Sequence, residues 1–308
     1  MKKIILYCFI AIQTFAQSPN YSTAVIESSK AWIDIDYVGD GIIGHKLDIF
    51  LPTEAAAKYP VVITIYGSAF FSNSSKANCF QSGFGQSFLK KGYAVVSINH
   101  RSSRDAIWPA QIHDVKAAIR FIRANAKTFA LDPDAIGITG FSSGGHLSAM
   151  AGVTSGTKMD KINGMEIDLE GSLGKFTEIS SHVNAVVDWF GPTDFLIMDA
   201  CGSSLKHDDI KSPESSLIGG AIQENKEKTA LANPISFVSK GDPPFLIIHG
   251  NKDSLVPHCQ SELLNNKMQT TGNGSELIIV EGGGHGPGVM TENYYSKAVE
   301  FFNKVLKK

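Results

Sequence analysis

Residues 140–144 read Gly-Phe-Ser-Ser-Gly, a G-x-S-x-G pattern, and the stretches on either side tell what it does to the chain. Ala135-Ile136-Gly137-Ile138-Thr139 before it reads as a short buried strand. Gly145, His146, Leu147, Ser148, Ala149 and Met150 after it read as the opening of a helix. A strand, a tight turn and a helix make an elbow that holds Ser142 in a strained conformation with its hydroxyl exposed. Gly140 and Gly144 are required because strand and helix approach too closely there for a Cβ.

The rest of the chain supplies a sheet for such an elbow. Residues 32–37 and 46–51 alternate apolar and polar, and Pro52 ends the second run. With Gly39-Asp40-Gly41 between them they predict an antiparallel hairpin at a sheet edge. Residues 61–66, 94–98, 185–190, 245–249 and 277–280 are instead nearly continuous apolar runs, as expected of strands covered on both faces. Helices are expected over 86–91, 111–125, where Ile112, Val115, Ile119 and Ile122 share one face, and 289–306. This alternation predicts an α/β fold, a mostly parallel eight-stranded sheet with helices on both faces. Functional groups in such sheets gather at the carboxyl ends of the strands. Residues 155–181 and 195–233 lack the rhythm and are expected to be lid-like excursions over that edge.

The first sixteen residues read as a signal peptide. Lys2 and Lys3 precede an apolar run, 4–12, and Thr14-Phe15-Ala16 offers a cleavage point before Gln17. The run is too short to span a bilayer, so export is expected, with residues 17–308 as one catalytic domain and no membrane contact after cleavage. With 43% hydrophobic residues the chain has the means to bury a large core, and a formal net charge of −2 gives no sign of a nucleic-acid partner. Without Cys8, the cysteines are Cys79, Cys201 and Cys259, which predicts one disulfide and one buried thiol in an oxidising compartment.

A serine hydroxyl needs a base, and the base needs an orienting acid. Asp253 follows the strand at 245–249, and His285, flanked by Gly284 and Gly286, follows the strand at 277–280. Both therefore belong at the same sheet edge as Ser142. The order Ser, Asp, His is that of α/β-hydrolases. Asp188 and Asp194 compete with Asp253 for the acid, which leads because its strand immediately precedes the histidine's. The small-residue loop Tyr66-Gly67-Ser68-Ala69-Phe70 is placed to aim backbone amides at a developing oxyanion, joined by the Ser143 amide at the helix start. No H-x-x-x-H or C-x-x-C spacing suggests a metal, and no cofactor is implied.

Seven stretches together, 46–52, 66–70, 108–116, 140–146, 188–194, 244–257 and 282–286, resemble α/β-hydrolase esterases, specifically the exported bacterial carbohydrate-esterase-like group that includes bifunctional acetylxylan and feruloyl esterases. The resemblance runs in order through nearly all of the expected mature chain. It implies Ser142 as nucleophile, Asp253 as acid and His285 as base, with oxyanion donors at Ser68, Ala69 and Ser143. The chain departs from the family where many members have His-Gly-Gly and this one has Tyr66-Gly67-Ser68, whose serine side chain would narrow the acyl pocket.

Phe70, Phe71, Trp108, Phe141, Trp189 and Val256 are the expected substrate-binding residues, since aromatic rings suit sugar faces or aromatic acyl groups. His100, His113 and His146 are expected to be packing residues. Cys201 and Cys259 each follow a strand of this edge, which predicts a disulfide between them. The expectation for function is a serine carboxylesterase acting on acetyl or feruloyl esters, small or polysaccharide. The alternatives are a peptidase or amidase on the same fold, or a glycan-binding protein that has kept the hydrolase shell.

Overall fold

A computed structural model describes residues 26–307. The expected signal peptide, residues 1–16, lies outside the described residues. No helix among those described is long and apolar enough to cross a membrane.

The elements follow the expected alternation. Strands β1 (Lys30–Asp36), β2 (Lys46–Leu51) and β3 (Tyr59–Ile65) lead into helix α1 (Phe84–Leu89). Then come β4 (Ala94–Ile98), α2 (Ala110–Ala124), β5 (Leu131–Phe141) and α3 (Ser143–Val153). A small hairpin, β6 (Met159–Ile162) and β7 (Met165–Asp168), precedes β8 (Ala185–Trp189). The short helices α4 (Pro213–Ile218) and α5 (Lys226–Ala230) interrupt the second irregular stretch. The chain closes with β9 (Phe245–Gly250), α6 (Cys259–Thr270), β10 (Ser275–Val280) and α7 (Glu292–Leu306).

Eight strands form one sheet in the order β1-β2-β4-β3-β5-β8-β9-β10. The pairings β1-β2 and β2-β4 are antiparallel and all the others parallel, as the change from alternating to continuous apolar runs implied. Two buried clusters cover its faces. One joins the sheet to α2, α3 and α6 through Ile112, Ile119, Met150, Leu264 and Met268. The other joins it to α1 and α7 through Phe84, Phe88, Tyr295 and Phe302.

The strand order reverses between β3 and β5, since β4 lies on one side of β3 and β5 on the other. Loops leaving two such strands diverge and open a crevice at their carboxyl ends. The loops in question are the one holding Ser68 and Ala69 and the elbow itself.

One expectation needs correcting. Residues 155–181 do not line the cleft beside Ser142. Helix α3 starts at that edge and carries the chain back to the far end of the sheet. The segment after it packs along α2 instead: Lys116 Nζ donates to the Thr154 carbonyl, His113 bonds the Asp168 carbonyl at 2.8 Å, and Arg120 pairs with Glu170. The second irregular stretch, 195–233, does reach the active edge.

Candidate active site

The elbow has the geometry its sequence requires. Ser142 sits at φ 57° and ψ −125°, a left-handed conformation that costs a side-chain-bearing residue on the order of 1–3 kcal/mol. Its amide donates to the Trp189 carbonyl at 2.9 Å, and its carbonyl accepts from the His146 amide at 3.0 Å. A Cβ on Gly140 would collide with the Gly144 carbonyl, and one on Gly144 with the Ile65 carbonyl. The two glycines therefore let α3 start directly on β5.

Ser142, His285 and Asp253 meet at the ends of β5, β10 and β9. His285 Nε2 lies 2.9 Å from Ser142 Oγ, and His285 Nδ1 lies 2.7 Å from Asp253 Oδ2. An ionised carboxylate only accepts, so Nδ1 carries the proton and Nε2 presents a lone pair to the serine hydroxyl. The loops holding acid and base are stitched together: the Lys252 amide donates to the Gly283 carbonyl, and the Asn251 amide to the Val280 carbonyl.

Asp253 is buried, and its Oδ1 accepts the amides of Leu255 and Val256 at 2.9 and 3.0 Å. Burial alone would raise its carboxyl, but the hydrogen bonds and charges of His249 and His285 hold it well below the usual carboxylate range. It stays a carboxylate, as the orienting role demands. The competing acids are engaged elsewhere. Asp188 is sealed inside with Oδ1 accepting the Gly191 amide, and burial pushes it up to about 7. Asp194 accepts the Leu196 amide and the Asn233 side chain.

The loop after β3 differs from expectation at one donor. The Ser68 amide is already used: it donates to Ser143 Oγ at 2.9 Å. The Ala69 and Ser143 amides have no partner among the described residues, and both residues line the cleft beside Ser142. Ala69 and Phe70 take φ values of 50° and 62° in succession, the turn that bends the loop over the elbow. Two amides, rather than three, are therefore free for an oxyanion.

The cleft above Ser142 measures about 90 Å³, far below the roughly 300–1,000 Å³ of drug-sized sites. Of the six expected substrate-binding residues, Phe70 and Val256 line it. The other four do not. Trp189 is fully buried on the α1/α7 face, its indole donating to Thr139 and its ring against Phe84 and Tyr295. Phe141 packs against Phe84 on that same face. Trp108 is buried with its indole donating to the Leu231 carbonyl. Phe71 lies under the Arg104 guanidinium, 5.2 Å from the ring centroid. A larger groove of about 480 Å³ runs between α1 and α7, but no member of the relay lines it.

Residues the sequence reading did not single out complete the wall: Leu205, His207, Pro213 and Glu214 from the 195–233 stretch, with Leu255 and Pro192. His207 Nδ1 lies 2.8 Å from Glu214 Oε2, and Nε2 lies 2.9 Å from the Leu255 carbonyl. Burial would lower the imidazole, but Glu214 above all, with the Leu255 carbonyl and Asp199, raises it on balance. The wall is also tied covalently. Cys201 and Cys259 form a disulfide that joins the 195–233 stretch to the start of α6, while Cys79 is a buried free thiol. The three histidines expected to pack are each held by a backbone carbonyl: His100 bonds that of Arg101, His113 that of Asp168, and His146 that of Ala232 at 2.7 Å amid Phe70, Trp108 and Phe195.

Against known proteins, residues 47–268 match the family model described as BD-FAE. The chain belongs to the BD-FAE family. A solved structure titled a truncated form of carbohydrate esterase from gut microbiota is 49% identical to this BD-FAE protein, with TM-score 0.89 over 92% of this chain and 99% of that one. Esterase LipQ of Mycobacterium tuberculosis is 29% identical over 78% of this chain and 53% of its own length. An acetylxylan esterase of Xylanibacter ruminicola is 28% identical over 66% of this chain and 36% of its own. The BD-FAE chain spans about half the length of the first of the curated relatives it matches. Its fold is that of the α/β-hydrolase esterases.

Proposed function

We propose that this chain is a serine carboxylesterase that removes short acyl groups, acetyl foremost, from sugar hydroxyls of plant polysaccharides, and that it acts after export. The observation that carries the reading is the Ser142–His285–Asp253 relay, at 2.9 and 2.7 Å, opening beside two unpartnered amides into a cleft of about 90 Å³. The names of the carbohydrate esterase and acetylxylan esterase relatives support the sugar ester as substrate. A feruloyl group needs room for a whole aromatic ring, and the small cleft favours acetyl over it. The basic and apolar start of the chain and the Cys201–Cys259 disulfide favour an oxidising compartment.

The chemistry follows from the geometry. Ser142 Oγ attacks the ester carbonyl carbon as its proton passes to His285 Nε2. The carbonyl oxygen becomes an oxyanion held by the Ala69 and Ser143 amides. Asp253 orients the imidazolium and stabilises its charge. As the intermediate collapses, the bond to the sugar oxygen breaks and His285 protonates that oxygen. Water then attacks the acyl-Ser142 ester, giving a proton to His285, which passes it to Ser142 Oγ as the acyl–oxygen bond breaks and the carboxylic acid leaves.

The test is incubation with acetylated xylan and with a feruloylated arabinoxylan fragment, measuring acetate and ferulate released. Acetate without ferulate is expected. Ferulate release would overturn the short-acyl reading. Release of neither, with p-nitrophenyl acetate still cleaved, would retain the relay and discard the polysaccharide.

A further inference from the structure

Apart from the relay and the Ser143 hydroxyl, the side chains lining the cleft are apolar, with two exceptions, His207 and Glu214. The two form a pair. Both nitrogens of the His207 ring face oxygens, the Glu214 carboxylate and the Leu255 carbonyl, and a carbonyl only accepts. Nδ1 donates to the Glu214 carboxylate, and Nε2 lies 2.9 Å from both the Leu255 carbonyl and Ser203 Oγ, so the ring is held on both sides.

The pair uses half of the carboxylate. Glu214 is 3% exposed, and its Oε2 is taken by His207. Its Oε1 has no hydrogen-bond partner among the described residues, and it is not sealed from solvent. Glu214 lines the same cleft as Ser142 and His285. A buried carboxylate oxygen left open towards a substrate is a strong acceptor waiting for a donor.

We propose that Glu214 is a specificity-determining residue whose free carboxylate oxygen accepts a hydrogen bond from a hydroxyl of the substrate's alcohol portion. This rests on the sugar-ester reading above: an acetyl group offers no donor, so the hydroxyl comes from the alcohol. The cleft then selects acyl esters of polyols over esters of simple alcohols. An alcohol without the hydroxyl would leave the carboxylate buried and unpartnered, which penalises the wrong substrate. A carboxylate-bearing alcohol would be repelled. His207 is the positioning residue that holds one carboxylate oxygen and so fixes which oxygen is left for the substrate.

Glyceryl monoacetate and propyl acetate test this, with p-nitrophenyl acetate as a control, on the wild type and Glu214→Gln. In the variant, His207 Nδ1–H holds the amide oxygen, so the NH₂ group replaces the free acceptor with a donor. The wild type should prefer glyceryl monoacetate to propyl acetate, and the variant should lose roughly tenfold to a hundredfold in kcat/KM on the former, with no comparable fall on the other two substrates. An equal fall on all three would mean that Glu214 merely holds the wall, and overturns the proposal, as does no fall on any. If the variant does not fold, the wild-type ratio decides, and equal kcat/KM for glyceryl and propyl acetates overturns the proposal. Wild-type preference for the glyceryl ester alongside failure on acetylated xylan would sink the polysaccharide substrate and keep Glu214 in its role.

Discussion

The Ser143 hydroxyl accepts the Ser68 amide at 2.9 Å, so the residue after the nucleophile holds the loop that bears the oxyanion amides. Ser143 thus works twice, offering its own amide to the oxyanion and fixing the loop that presents Ala69. Ser143→Ala removes the acceptor but leaves the amide. Since losing one oxyanion donor outright costs about a hundredfold to a thousandfold, loosening one should lower kcat by roughly tenfold, with KM changed by less than about twofold. Steady-state kinetics on p-nitrophenyl acetate read the split. A change in KM alone would show that the bond has no part in the transition state, and Ser143→Thr, which keeps the hydroxyl, should restore much of the rate if it folds.

Ser142→Ala should lower kcat on p-nitrophenyl acetate by about ten-thousandfold or more. The far-ultraviolet circular dichroism should not change, because the serine side chain packs against nothing that the core depends on. Retained turnover would remove Ser142 from the relay.

His146 gives the protein an acid-sensitive core. Its Nε2 donates to the Ala232 carbonyl, while Nδ1 is buried without a partner. Protonation would add a charge and an unpaired donor, and burial pushes the imidazole down to about 4. The folded value is below the unfolded one, near 6.5, so this contribution is complete above pH 6.5 and drains away as the pH falls towards 4. Its full size is on the order of 3 kcal/mol. His146→Gln, which keeps a donor for Ala232, should make Tm less dependent on pH in that window. A Tm difference between variant and wild type that is the same at pH 7 and pH 4.5 would rule out His146 as the sensor.

The Cys201–Cys259 disulfide closes a loop with a sequence separation of 58. Restricting the unfolded chain over such a loop contributes roughly 4 kcal/mol, or a fall in Tm of about 10 °C when it is lost. Cys259→Ser should show that fall in a thermal scan. A thiol count on native protein should detect no cysteine among residues 26–307, and denaturation without reductant should expose Cys79 alone. Reactive Cys201 or Cys259 in that experiment would mean the bridge is not formed.

Much of this was legible in the sequence, for physical reasons that differ from residue to residue. Strand β2 ends where Pro52 must end it. The relay was readable because a parallel sheet puts every strand's carboxyl end at one edge, so order along the chain becomes proximity in space. Trp189 and Phe141 misled because nearness in sequence says nothing about facing. Side chains alternate along a strand, and Trp189 points to the α7 face while its neighbour Asp188 points towards α3. Helix α6 escaped notice because its buried positions, Gln260, Ser261, Leu264, Asn265 and Met268, are mostly polar and blur the helical period. His207 and Glu214 lie in a stretch with no period at all, and only the folded chain shows that they pair.

The base stands in the loop after β10, the edge strand beside β9, 143 positions after the nucleophile. A polypeptide made from its amino end lays down Ser142 and its loops long before His285 exists to take a proton. The unfinished chain holds a serine no more reactive than any other, and it becomes a reagent when the last strand zips onto β9. With the base in the loop after that edge strand, the relay is assembled only when the sheet is complete.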